Sequence, residues 1–249
     1  MAYERLADIY DRLMRNAPYD KWLHYTEQIL QTRNIQYIAD LGCGTGEITL
    51  RLAQLYPHVI GVDYATDMLA NAEHKSRATS GSIQWICQDL RALKGITGLD
   101  AAVSFCDVIN YITTEEELLR TFQNIYDALN SKGVFLFDVH ALPFVTDHYV
   151  HETFADVTED ASYIWFCLPG DHTGEMFHEL TFFSKNDVGD YVRFDEVHHQ
   201  RTFSVDFYKK LLLQAGFQNI NMYGDFSIKV NSVTKNTARI FFSAEKGDR

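Results

Sequence analysis

Residues 38–49 read Ile38-Ala39-Asp40-Leu41-Gly42-Cys43-Gly44-Thr45-Gly46-Glu47-Ile48-Thr49. A short apolar run ends in an acid, three glycines alternate with other residues, and a helix-forming stretch follows. Residues without a Cβ permit both a tight turn and the close approach of a ligand to the backbone. A strand that ends in such a turn and opens a helix is the usual cradle of a nucleotide-like ligand.

Outward from this stretch, apolar runs alternate with helical ones. Helices are expected over 3–16 and 18–33, then strand Ile35–Leu41, helix Glu47–Leu55, strand Val59–Asp63, helix Ala65–Ser76 and strand Ile83–Cys87. Strand Leu99–Phe105, helix Thr114–Leu129 and a fifth strand, Gly133–Val139, continue the series. Thr113 or Thr114, ahead of Glu115, Glu116 and Glu117, suits the cap of that helix. Near-continuously apolar strands separated by helices predict a parallel sheet covered on both faces, and right-handed crossovers make it doubly wound.

Residues 150–202 break the pattern. Apolar and polar residues alternate, with turn signals at Pro169-Gly170-Asp171 and at 186–190, which predicts three or four antiparallel strands. Helix Val205–Ala215, closed by Gly216, and strands Phe217–Tyr223 and Ala238–Ala244 then complete the first fold. The expected fold class is therefore α/β: a doubly wound, mostly parallel seven-stranded sheet with an antiparallel β insertion after strand five. One domain spans 1–249. Within it, 1–34 are N-terminal helices over the ligand cleft, 35–149 and 203–249 the Rossmann-like core, and 150–202 the insertion.

Composition narrows the function classes. With 249 residues, 46% of them hydrophobic and 14% aromatic, the chain can bury one sizeable core. No apolar run approaches the roughly 20 residues of a membrane helix, and the charged start MAYERLADIYDRLMRN lacks the layout of a secretory signal. A cytoplasmic protein is expected. The net charge of -12 repels phosphate backbones, so bulk nucleic-acid binding is not expected. Cys43, Cys87, Cys106 and Cys167 include no CxxC pair, and reduced, buried thiols are the expected state. Oligomeric state leaves no mark on the sequence.

In open α/β sheets, ligands bind beyond the carboxyl ends of the strands. Those ends carry Asp40, Asp63, Gln88 with Asp89, then Cys106 with Asp107, and finally Asp138 with His140. Asp63 lies 21 residues after Gly42, the place for a carboxylate that grips ribose hydroxyls. Both features also suit a nicotinamide dinucleotide. The spacing here, however, is GxGxG rather than GxGxxG, and Asp40 and Glu47 would repel a pyrophosphate at the helix start but welcome a cation.

These residues resemble the class I S-adenosylmethionine-dependent methyltransferases. DLGCGTGEIT resembles that family's first motif, GVDYATDML (61–69) its second and CQDL (87–90) its third. The likeness covers about 35–140. It implies S-adenosylmethionine as cofactor and S-adenosylhomocysteine as product. By resemblance, Asp63 holds the ribose, Tyr64 and Met68 pack on adenine, and Asp89 accepts from the adenine amine beside Gln88 and Leu90. Gly42, Cys43 and Gly44 lie against the methionine part, whose ammonium Asp40 reaches directly or through water. Cys106 and Asp107 line the methionine end. Tyr3–Asp11 resembles a helix that closes over the cofactor and brings Tyr10 to it.

The second substrate is expected to be a small-molecule acceptor between the crevice and 150–202, with His140 as candidate general base. A metal is not expected: His198 and His199 should point to opposite faces of a strand. The aromatics Trp165, Phe166, Phe177, Phe182, Phe183, Tyr191 and Phe194 are expected to form one sheet face. Three alternatives stand beside this reading: methylation of tRNA or rRNA, which needs a basic stripe around the crevice; an NAD-dependent oxidoreductase; and a non-catalytic partner that keeps the cofactor fold.

Overall fold

A computed structural model describes residues 7–77, 82–159, 161–186 and 188–248. Residues 3–6 of the expected first helix and Asp187 of the expected turn lie outside them. Helices α1 (Ala7–Leu13) and α2 (Tyr19–Leu30) lead into a βα series: β1 (Tyr37–Leu41), α3 (Glu47–Leu52), β2 (His58–Asp63), α4 (Thr66–Ser76), β3 (Ile83–Cys87), β4 (Leu99–Ser104), α5 (Glu115–Ala128) and β5 (Leu129–His140). A short helix α6 (Leu142–His148) follows, then β6 (Thr153–Val157), β7 (Ala161–Pro169), β8 (Glu175–Lys185) and β9 (Tyr191–Arg201). Helix α7 (Val205–Ala215) and strands β10 (Phe217–Gly224) and β11 (Arg239–Lys246) close the chain. The sequence pattern did not separate α6 from the loop after strand five.

The main sheet has seven strands in the order β10-β11-β5-β4-β1-β2-β3. Neighbours from β3 to β5 pair in parallel, and β11 is antiparallel to both β5 and β10. Strand order reverses between β1 and β4, so the crevice for a ligand opens above those two carboxyl ends. Helices cover both faces. On one, Phe122 and Ile125 of α5 and Tyr208 and Leu211 of α7 pack on Phe135, Phe137 and Phe242. On the other, Trp22 and Tyr25 of α2 and Ile48 and Leu52 of α3 pack on Ile38, Val103, Leu136 and Phe241. Of the two N-terminal helices, therefore, α2 backs the sheet and only α1 reaches the cleft.

Local chemistry sets the helix ends. Thr114 caps α5 by accepting from the Glu117 N–H at 3.3 Å, and Ser204 caps α7 by accepting from the Phe207 N–H at 3.3 Å. Gly216 ends α7 in the left-handed region, at φ 104°.

The insertion forms its own antiparallel sheet, β6-β7-β8-β9. Period-two alternation splits its aromatics between two faces. Trp165, Phe182 and Phe194 turn toward the core, while Phe166, Phe177, Phe183 and Tyr191 turn away from it. Cross-strand pairing shows this directly: Trp165 faces Leu180, whereas Phe166 faces Glu179 and Tyr191 faces Lys185. The expected single aromatic face is corrected accordingly, because residues of opposite parity cannot share one face. Among the described residues no helix is long and apolar enough to cross a membrane.

Phe137 is fully buried and stacks on Phe135 and Phe242 at centroid distances of 4.8 Å each. Phe137→Ala is expected to cost about 3–5 kcal/mol. Denaturant titration should show a lower midpoint with an unchanged slope; a loss under about 1 kcal/mol would mean that this face repacks freely.

Candidate active site

The crevice at the switch point is one cleft of about 560 Å³, within the range of small-ligand sites. The main-sheet side of its lining comes from loops after β1, β2, β3, β4 and β5. Gly42 and Gly44 follow β1, Asp63, Tyr64 and Met68 follow β2, and Gln88, Asp89, Leu90 and Arg91 follow β3. Cys106, Asp107, Val108 and Tyr111 follow β4, and His140 ends β5. Tyr10, Leu13 and Met14 of the α1 region cover one side.

Of the thirteen cofactor residues expected from the sequence, eleven line this cleft, as does His140. Asp40 and Cys43 do not. Asp40 is 2% exposed and accepts the Thr49 hydroxyl at 2.6 Å behind the glycine turn. Burial, opposed by Thr49 and aided by Asp63, raises its pKa to about 7. Cys43 is buried, with its Sγ 3.9 Å from the Gly44 carbonyl. The four cysteines are free; Cys43 and Cys167 are buried, Cys106 is partly buried, and Cys87 is exposed, contrary to the expectation of four buried thiols.

The glycine turn is built for approach. Gly42 adopts φ 81°, and a Cβ there would clash with the Val108 side chain. At Gly44, with φ 54°, a Cβ would point into open space. Asp63 anchors the turn: its Oδ2 accepts from the Gly44 N–H at 2.8 Å and its Oδ1 from the Ala65 N–H at 2.9 Å. Burial raises the pKa of Asp63, while these backbone donors favour its carboxylate. Helix α1 is tied to the turn through Asp11, which accepts from Thr45 Oγ1 at 2.5 Å and from Lys75 Nζ at 2.6 Å.

Glu47 corrects the electrostatic part of the sequence argument. It does not line the cleft, and Lys75 Nζ and Arg51 Nη1 hold it at 2.7 and 2.6 Å. Burial disfavours its charge, but those two cations outweigh burial and lower its pKa. With Asp40 also withdrawn, neither acid meets a bound anion directly. The acids that do reach the cleft are Asp63, Asp89 and Asp107. Asp89 caps the short turn Leu90–Ala92 and pairs with Arg91 at 2.6 Å, which lowers its pKa. Tyr64 is 53% exposed, and Met68 is buried in a cluster with Phe182.

The opposite end carries a polar network that the motifs did not reveal. Asp138 is fully buried; its Oδ2 accepts from Trp22 Nε1 at 2.7 Å and from Arg239 Nη1 at 2.9 Å. Its Oδ1 accepts from the Asp107 N–H at 2.9 Å. The Asp107 carboxylate in turn accepts from Arg239 Nη2 at 3.1 Å and Gln200 Nε2 at 2.9 Å, and lies 3.6 Å from His140 Nε2. Burial opposes its charge, yet His140, Arg239 and Gln200 together hold it well below the usual carboxylate range. Arg239 sits between two carboxylates that keep its guanidinium charged despite burial.

The insertion sheet supplies the rest of the lining with Tyr163, Trp165, His178, Leu180, Phe182, His198 and Gln200. Trp165 Nε1 donates to His178 Nδ1 at 2.9 Å, and His178 Nε2 lies 3.1 Å from Gln200 Oε1. Burial lowers the His178 pKa to about 4, so its ring is neutral at pH 7. As expected of neighbours in a strand, His198 faces inward and is 6% exposed, while His199 faces out against Glu175. No three His, Cys, Asp or Glu side chains converge as a metal set among the described residues.

The glycine turn, Asp63 after β2 and Asp89 after β3 thus meet around one cleft, the arrangement that the resemblance to S-adenosylmethionine-dependent methyltransferases implies. Comparison with known proteins agrees. A family model described as a methyltransferase domain matches residues 38–133. A Geobacillus sp. protein is 40% identical over 99% of this chain and 100% of its own length. The YqeM protein of Bacillus subtilis is 39% identical over 99% of this chain and 98% of its own. Both carry the name "Putative methyltransferase". The crystal structure of an S-adenosylmethionine-dependent methyltransferase from Clostridium acetobutylicum matches with a TM-score of 0.88 at 27% identity, over 100% of both chains. The chain belongs to this methyltransferase family and uses S-adenosylmethionine.

An acid whose pKa is higher folded than unfolded holds more protons when folded between the two values. The Asp40 contribution to stability therefore falls as pH rises from about 4 to about 7, and is level above that. Asp40→Asn keeps an acceptor for Thr49 and removes this titration. The unfolding free energy of the variant minus that of wild type should climb across that window; a difference that is flat with pH would show that Asp40 titrates normally.

Proposed function

We propose that the chain transfers the methyl group of S-adenosylmethionine to a small-molecule acceptor held between the glycine-rich crevice and the insertion sheet. The observation that carries this is the double lining of the cleft: strand-end loops of the main sheet on one side, and inward side chains of β7, β8 and β9 on the other. A lined space of about 560 Å³ suits a cofactor and a small acceptor rather than a polynucleotide. The arginines in the lining are spent on carboxylates, Arg91 on Asp89 and Arg239 on Asp107 and Asp138, so neither stands ready for a phosphate backbone. With a net charge of -12, this disfavours tRNA or rRNA. Nothing in the site favours a nicotinamide ligand. A cytosolic location fits the same reading.

The cofactor, when bound, supplies a methyl group on a sulfonium that is already a good leaving group. The protein must bind, align and exclude water. In the arrangement we propose, Asp63 accepts from the ribose hydroxyls with the lone pairs that Gly44 and Ala65 leave open. Gln88, Asp89 and Leu90 meet the adenine, with Tyr64 and Met68 beside it. Gly42 and Gly44 admit the methionine part, Cys106 and Asp107 border it, and Tyr10 covers it. Asp40 and Cys43 act from behind the turn, by holding its shape. An acceptor that carries a proton at neutral pH needs a base, and His140 and His198 both reach the cleft.

Asp63→Ala should weaken S-adenosylhomocysteine binding by roughly 1.5–3 kcal/mol, the scale of hydrogen bonds to a charged group. That is about a 10- to 150-fold rise in dissociation constant by calorimetry. Unchanged affinity in a folded variant would move the ribose elsewhere. Methyl transfer to tRNA but to no small molecule would overturn the acceptor class.

A further inference from the structure

The inward face of the insertion carries a row of hydrogen bonds that runs in one direction, from Trp165 through His178 and Gln200 to Asp107. All four residues line the cleft. Register brings them together: Trp165 of β7 pairs with Leu180 and Gln200 of β9 pairs with Met176, so each sits diagonal to His178 on β8. Burial lowers the His178 pKa to about 4, so one ring nitrogen donates and the other accepts. Trp165 Nε1 can only donate, and it lies 2.9 Å from His178 Nδ1. The ring proton is therefore on Nε2, which donates to Gln200 Oε1 at 3.1 Å. With its oxygen so engaged, the amide turns its Nε2 to Asp107 Oδ2 at 2.9 Å.

The row sets the posture of one carboxylate. Arg239 holds Asp107 Oδ1 at 3.1 Å from the main fold, and Gln200 holds Oδ2 from the insertion. A carboxylate anchored at both oxygens cannot turn about its own bond. A flipped Gln200 amide would set oxygen against oxygen at Asp107, and the proton on His178 Nε2 excludes that flip. A carboxylate offers about four acceptor positions, and Arg239 and Gln200 take two, so Asp107 can still accept from a ligand. The cofactor's cationic end needs such a group. Asp40 is shut behind the glycine turn, Asp63 holds the turn itself, and Asp89 pairs with Arg91. Asp107, at the methionine end, is the acid left to meet the ammonium.

We propose that Trp165, His178 and Gln200 are positioning residues for the cofactor: in series they fix the Asp107 carboxylate so that it accepts from the ammonium of the methionine part. The insertion sheet then serves cofactor binding as well as the acceptor. None of the three has to touch the cofactor for this, and a substitution in the row acts by loosening Asp107. Hydrogen bonds in a row polarise one another. An ammonium drawing on Asp107 is therefore felt at the far end, at the Trp165 indole N–H. This proposal rests on the methyl-transfer reading above.

The test sets S-adenosylhomocysteine, which carries the ammonium, against 5′-methylthioadenosine, which keeps the adenosine and the thioether but has no amino acid part. Both are titrated into the full chain by calorimetry. Gln200→Leu should weaken S-adenosylhomocysteine at least about tenfold and leave 5′-methylthioadenosine within about twofold of wild type. Equal losses for the two ligands, or no loss for either, overturn the proposal. In an Asp107→Asn background, Gln200→Leu should cost under about twofold, since the carboxylate it served is gone. A cost there as large as in wild type overturns the route through Asp107. A readout on the unaltered protein is the Trp165 indole N–H resonance, identified by its loss in Trp165→Phe. Saturation with S-adenosylhomocysteine should move it, and 5′-methylthioadenosine should move it much less; equal movement, or none, overturns the proposal. Failure of both ligands to bind wild type would strike the methyl-transfer reading and this proposal with it. Tight binding of S-adenosylhomocysteine that ignores Gln200→Leu would strike this proposal alone.

Discussion

The structure turns on one buried carboxylate. Asp138, near the end of the interior strand β5, has no solvent exposure and spends its two oxygens on Trp22, Arg239 and the Asp107 backbone. Those partners come from α2, from the start of β11 and from the loop after β4. An uncompensated charge in that position would cost several kcal/mol, so its three donors are needed together. By meeting that need, the chain fixes the helix behind the sheet, the last strand and the loop that carries Asp107, all at one point.

The fixed loop is a strained one. Cys106 and Asp107 both adopt left-handed backbone, at φ 59° and 56°, where residues with a Cβ each cost about 1–3 kcal/mol. The hydrogen bond from the Asp107 N–H to Asp138 holds the conformation, and Arg239 and Gln200 hold the side chain. The strain turns the Asp107 carboxylate up toward the insertion sheet. From there the contacts run through Gln200 and His178 to Trp165, so that sheet is oriented by a carboxylate of the core.

How much of this could be read in the sequence follows from the range of each interaction. The glycine turn, Asp63 and the βα alternation are local patterns, and the strands and helices fall within a few residues of their expected bounds. The caps at Thr114 and Gly216 were legible for the same reason. That Asp40 turns behind the glycine loop and that Glu47 is held by cations was not legible, because the partners Thr49, Arg51 and Lys75 lie on helices α3 and α4 rather than beside the acids in the motif. Arg239 stood in the sequence as the second residue of the expected strand Ala238–Ala244, with nothing nearby to signal two carboxylates 101 and 132 residues away. Tyr111, His178 and Gln200 were hidden likewise, since their partners come from across the cleft. The aromatic face was misread because residue type was weighed above parity.

The two sides of the cleft depend on different kinds of precision. The main-sheet side is made by backbone at the ends of parallel strands, which the sheet itself positions. The insertion side is made by alternate side chains of β8 and β9, and there register decides everything. A slip of one residue in β9 would replace Glu196, His198 and Gln200 with Val197, His199 and Arg201 on the inward face. Eleven consecutive pairs between β8 and β9, from Glu175–Arg201 to Lys185–Tyr191, resist that slip. Thr202 pins the end of the strand by donating its hydroxyl to the His140 carbonyl. Asn110 adds a second clasp, donating to the Arg201 carbonyl at 3.0 Å while accepting from the His140 N–H at 3.0 Å. The end of β5 thus sets the register of the insertion. That places the inward residues of β9 over the loop after β4, so the two sides of the cleft are held in one fixed relation.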